Sequence, residues 1–178
     1  MHKYIALFRG INVGGSGRLP MKELVALLEE LGAKNVRTYT QSGNAVFESA
    51  EKDQAKLSGK IAAEVIKRHG FEPHVLVMGA EALEEAIANN PFPEAVDDPS
   101  KLHLGFLASV PKNPNMEKLE SLRTGSARFR LIGSVYYLHA PAGVGRSKLA
   151  ANAEKLLGVP MTDRNWRTVS RLQDMSKE

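Results

Sequence analysis

The chain has 178 residues, a mass of 19.5 kDa, a formal net charge of +4 and a pI near 9.3. It contains no cysteine, which excludes disulfides, thiolate chemistry and zinc ribbons. Its 43% apolar and 25% charged residues are ordinary for a globular protein able to bury a core, as one domain or two small ones.

Lys3 to Phe8 (K-Y-I-A-L-F) is short, apolar and bounded by Gly10, which predicts a buried strand with no signal peptide ahead of it. A glycine-rich loop from Arg9 to Pro20 follows. Pro20 suits the first helical position, where its missing N–H would go unbonded anyway. Leu24, Leu27, Leu28 and Leu31 recur at helical spacing up to Gly32. Val36 to Thr40 and Ala45 to Glu48 read as strands joined through Gln41-Ser42-Gly43-Asn44. A helix with Leu57, Ile61 and Val65 on one stripe ends near Gly70, and Pro73 to Met78 is a further strand.

Strand, helix, strand, strand, helix, strand is the ferredoxin-like order, and it fills residues 1–78. After a helix from Ala80 to about Asn89, the Pro-rich run Asn90 to Pro99 is the candidate boundary. Leu102 to Leu107 then predicts a strand, Met116 to Leu122 a helix, and Ala127 to Ile132 with Val135 to His139 a hairpin about Gly133-Ser134. Helices are expected over Arg146 to Leu157 and from roughly Arg164 to Met175. The fold class is therefore α+β: a ferredoxin-like unit over 1–78, then a related but incomplete unit over 79–178 that ends in helices. In this topology the loop leaving the first strand and the hairpin joining the second and third emerge at one end of the sheet. Arg9 to Arg18 should thus lie beside Gln41 to Asn44.

Four motifs recur in a known pattern: R-G-I-N-V-G-G at Arg9 to Gly15, the Y-x-Q-S-G-N-x-V-F hairpin at Tyr39 to Phe47, G-R-S-K-L at Gly145 to Leu149 and R-N-W-x-T at Arg164 to Thr168. In these the chain resembles the bacterial domain-of-unknown-function family numbered 1697, essentially along its whole length. The resemblance implies an α+β structure built from ferredoxin-like units, and no assigned function.

The first glycine loop stands between a strand and a helix, the context in which backbone amides and a helix N-terminus bind phosphate. It matches neither G-x-G-x-x-G nor the P-loop, and a tight turn needing positive φ explains its glycines equally well. Ala142 to Lys148 (A-G-V-G-R-S-K) has the same context, with its basic residues in the wrong order for a P-loop. A loop with solvated Arg146 and Lys148 accounts for it. In the third motif Arg164, Arg167 and Arg171 are spaced for one helix face, ordinarily a solvated one, and Trp166 reads as a core anchor.

One comparison lifts the three motifs together. Helix N-termini favour acids by about 0.3–1 kcal/mol, as with Glu51, Asp53 and Glu81. The helices after the two glycine loops, and the last one, instead begin near Arg18 and Lys22, Arg146 and Lys148, and Arg164 and Arg167. A bound anion is the missing partner this suggests.

Histidines 2, 69, 74, 103 and 139 show no metal-ligand spacing, Ser42 has no evident base, and no metal or cofactor site is evident. The RNA-recognition pattern of strand aromatics is missing from Asn44-Ala45, which disfavours nucleic acid on the sheet face. No stretch approaches the roughly 20 apolar residues of a membrane span, so a soluble cytoplasmic protein is expected. The expected ligand is an anionic, phosphate-bearing small molecule or nucleotide. Its site would comprise Arg9, Asn12, Gly14, Gly15, Arg18, Gln41, Ser42 and Asn44, joined by Arg146, Lys148, Arg164 and Arg167 if the two halves fold together. An enzyme working on such a ligand by electrostatic stabilisation and a protein–protein assembly module are the alternatives, and a homo-oligomer stays open.

Overall fold

The computed structural model describes residues 1–178. The chain divides into two compact units, Met1–Glu85 with Arg171–Glu178, and Ala86–Ser170.

In the first unit β1 (His2–Arg9), α1 (Met21–Glu30), β2 (Lys34–Thr38), β3 (Asn44–Ser49), α2 (Gln54–His69) and β4 (His74–Gly79) follow the expected order, and α3 begins at Ala80. The sheet order is β2-β3-β1-β4 and every pair is antiparallel. Alternation in β1 sends Tyr4, Ala6 and Phe8 to one face, where they join Ala45 and Phe47 of β3 against Leu24, Leu27 and Leu28 of α1 and Leu57, Ile61 and Val65 of α2. A ten-residue helix such as α1 is not stable alone in water. Burying its three leucines, at about 1.5–3 kcal/mol each, is what holds it. Asp53 starts α2 by accepting the Lys56 N–H. Tyr4, Phe8 and Phe47 share the helix-covered face, and each is almost fully buried.

The final residues of the chain belong to this unit. Lys3 Nζ donates to the Ser176 carbonyl, and the Arg37 guanidinium bonds Glu178 and the Met175 carbonyl.

The second unit contains β5 (Leu102–Leu107), α4 (Met116–Leu122), β6 (Arg128–Ile132), β7 (Val135–His139), α5 (Lys148–Leu157) and β8 (Met161–Asn165). Its sheet order, β6-β7-β5-β8, repeats that of the first. Its helix-side core is Leu107, Tyr136 and Leu138 from the sheet with Leu119 of α4 and Leu149, Ala153 and Leu157 of α5. The Pro-rich run from residue 90 to 99 is packed. A 3-10 turn spans Pro93–Asp97, Phe92 and Ala95 are buried, and Arg128 pairs with Glu94 while its guanidinium sits 4.6 Å from the Phe92 ring centre.

One element differs from the sequence reading. Met161–Asn165 is a strand, so the second unit is complete, and the last helix, α6, runs from Trp166 to Lys177. M-T-D-R-N offers no apolar alternation. It is extended because it pairs residue by residue with β5, from His103↔Asn165 to Leu107↔Met161. Asn165 then caps α6, its Oδ1 accepting the Thr168 N–H. Arg164 is therefore a strand residue, not on a helix face with Arg167 and Arg171. Likewise Ser147 Oγ accepts the Ala150 N–H and starts α5, which leaves Arg146 outside the helix.

Candidate functional site

In the first unit the loop after β1 and the β2–β3 hairpin meet as the topology requires. The Phe8 N–H donates to the Gly43 carbonyl at 2.8 Å. Asn12, at φ 53°, ties the corner together: its Nδ2 donates to the Leu19 and Gln41 carbonyls and its Oδ1 accepts the Leu19 N–H, each at 2.8 Å. Asn44 is fully buried and donates to the Tyr39 carbonyl and to the Thr40 and Ser42 hydroxyls. The carboxamides of Asn12 and Asn44 thus brace the loops from within.

Between Asn12 and Gly17 the chain makes a miniature hairpin. The Asn12 N–H donates to the Gly17 carbonyl, Val13 bridges Ser16, and Gly14 and Gly15 turn at φ 61° and 78°. Positive φ at both central residues is the type I′ arrangement, so these glycines do serve a tight turn. Its tip is exposed, as are Arg9, Arg18, Gln41 and Ser42. Arg18 has no carboxylate within ion-pair range.

In the second unit Arg146 and Lys148 are exposed on either side of the capping Ser147. The turn from Thr124 to Ala127 faces the loop from Ala140 to Gly143 across a concavity of about 380 Å³, whose lining also includes Arg146 and Ser147. Lys101 Nζ lies beside Gly143. No carboxylate comes within ion-pair range of Arg146, Lys148 or Arg167. Arg164 is elsewhere. It pairs with Leu104 on the sheet face opposite α5, its Nη1 donates to the Asp163 carbonyl, and burial pushes its guanidinium pKa down. Arg167 is exposed on the first turn of α6.

A further group of polar side chains lies on the α5 side of this sheet. His103 Nδ1 and Asp163 Oδ2 are 2.7 Å apart, and Tyr136 stands in the same row as Asp163, both directly opposite Gly105. Burial, and then the Asp163 charge, pushes the Tyr136 phenol well above its ordinary pKa. No group of three or more His, Cys, Asp or Glu side chains is placed to hold a metal ion.

Comparison with known proteins bears on the family. A family model described as "Protein of unknown function (DUF1697)" matches residues 1–137. The chain belongs to this family. Among solved structures, this DUF1697 member resembles one described as the conserved bacterial protein SP0830 from Streptococcus pneumoniae, at a TM-score of 0.70 and 23% identity over 98% of each chain. That likeness shows the shared α+β fold. No curated protein matches. No helix of the chain is long and apolar enough to cross a membrane.

Sequence reasoning weighed His103 only as a metal ligand and missed its pairing with Asp163 and the neighbouring Tyr136. His103 sits in an apolar strand, L-H-L-G-F, where a buried imidazole needs a partner, and that was the available signal. Its partner lies 60 residues away. Burial is the largest influence on the ring and lowers its pKa. The Asp163 hydrogen bond and charge, with the Ser100 backbone, outweigh it, so the folded pKa is raised. The folded state then binds more protons than the unfolded one just above the unfolded histidine value of about 6.5. This stabilisation is complete below that pH and lost as pH rises through the raised folded pKa. Urea midpoints should accordingly fall across that window, and Asp163→Asn should flatten the His103 share of the slope.

Proposed function

We propose that this protein binds a small phosphate-bearing molecule or nucleotide through its glycine-rich loops and arginines, chiefly at the Arg146 corner of the second unit. The observation that carries the reading is the concavity between residues 124–127 and 140–143, with Arg146 and Ser147 on its wall and Lys101 beside it. An unpaired guanidinium there supplies charge, turn backbone allows close approach, and the first turn of α5 contributes the positive end of its dipole. Arg9, Arg18 and the Gly14-Gly15 tip form a second basic corner in the first unit. Asn12 and Asn44 hold that corner's shape.

A thermal-shift screen against a metabolite library tests the reading. Phosphate compounds at saturating concentration should raise Tm, and Arg146→Ala should clearly reduce the rise while leaving the unliganded Tm close to that of the parent. A failure of every phosphate compound to move Tm would sink the proposal.

A further inference from the structure

A second cavity in the same unit carries a different chemistry. It measures about 290 Å³ and lies between α5 and the sheet, with Leu138, Val144, Ala150 and Met161 as apolar wall and Tyr136, Asp163 and the capping Ser147 as polar residues. Its existence follows from the sequence. α5 presents alanines where larger side chains would close the gap, and the β5 residue in the row between Tyr136 and Asp163 is Gly105, so no side chain rises between them. Only the flexible Met161 thioether lies over that glycine, where an added Cβ would come within 2.4 Å of its sulfur. Two strand spacings separate the flanking residues, roughly 10 Å.

The polar groups define what would fit. Tyr136 is only 2% exposed and its hydroxyl has no partner in the protein. The Asp163 carboxylate is held on one side by His103 and keeps 45% of its side-chain surface open. A phenol needing a partner and a carboxylate able to accept suit a group that donates N–H or O–H, and the carboxylate repels anions.

We propose that this cavity is a binding site for a small, mostly apolar molecule bearing a hydroxyl or amino group, which donates to Asp163 and bonds Tyr136 while its hydrocarbon part packs on Leu138, Val144, Ala150 and Met161. The site adjoins the Arg146 concavity, with Ser147 lining both, but it takes a different chemistry and does not rest on the anion reading.

Four probes of one shape test it: benzyl alcohol, benzylamine, benzoate and phenyl phosphate, titrated while the methyl resonances of Met161, Leu138 and Val144 are followed by NMR. The alcohol or the amine should give saturable shifts, at least ten-fold tighter than either anion. Ala150→Leu, which fills the cavity, should remove them. Asp163→Ala, at an exposed position, should erase the ten-fold preference and supplies the test if the leucine variant does not fold. No saturable shift with the alcohol or amine, equal binding of the anions, or unchanged binding in a folded Ala150→Leu protein would each overturn the proposal.

Discussion

Gly43→Ala should destabilise the protein by about 2–5 kcal/mol. Gly43 sits at φ +95° where the hairpin passes under the first glycine loop, and an added Cβ would lie 2.6 Å from both Phe8 Cβ and Ile11 Cδ1. A left-handed L-residue costs about 1–2 kcal/mol, and forcing a methyl group into a packed site adds about 1–3 kcal/mol. Phe8 and Ile11 are almost fully buried and cannot swing away. Gly14 is the control: it also has positive φ, at +61°, but a Cβ added there would meet nothing within 4 Å. Gly14→Ala should therefore lose only the conformational part. Urea unfolding of both variants gives the comparison. Equal losses would mean that crowding is not what demands glycine at 43.

Asn12→Ala should cost about 2–4 kcal/mol and act on stability rather than on ligand affinity. It removes three hydrogen bonds made to backbone groups, each worth about 0.5–1.5 kcal/mol net. One of these satisfies the N–H of Leu19, a residue with 0% exposure, so the loss falls on a group that water reaches poorly. Asn12 also adopts φ 53°, which asparagine tolerates better than alanine. Gln41 supplies only its backbone carbonyl to this brace and its side chain is exposed, so Gln41→Ala should stay within about 0.5 kcal/mol. Unfolding free energies of the two variants, with phosphate titrations of each, separate bracing from ligand contact. An unchanged stability in Asn12→Ala with weakened ligand binding would reverse the assignment.

Much of the fold could be read from local pattern. The leucine stripe of α1 and the unbroken apolar run of β1 specify their elements without outside help, and the ferredoxin-like order then brings Arg9 to Arg18 beside Gln41 to Asn44. The edge strand β8 could not be read that way. Met161 to Asn165 carries one apolar residue, and what makes it a strand is its ladder to β5, some 60 residues earlier. Reading a helix from Arg164 followed from the visible arginine spacing, and it placed on one face residues that the backbone sends to different elements.

The candidate site was legible to the same degree. Residue types marked the loops, but whether an amide side chain faces a ligand or the backbone depends on non-local geometry, and Asn12 and Asn44 bond inward. The unpaired state of Arg146 was equally invisible, because pairing depends on which carboxylates the fold brings near. The His103–Asp163 contact is a cross-strand product of the unforeseen β8. Without that strand, His103 had no discernible partner.

The most direct test of the central claim is an amide NMR titration of the whole chain with inorganic phosphate and with adenosine monophosphate. Saturable shifts should appear at the backbone amides of Gly143, Gly145, Arg146 and Ser147, and Arg146→Ala should weaken binding at least ten-fold, the equivalent of about 1.4 kcal/mol for one charge-assisted contact. Shifts confined to other parts of the chain, or an affinity indifferent to Arg146, would contradict the account.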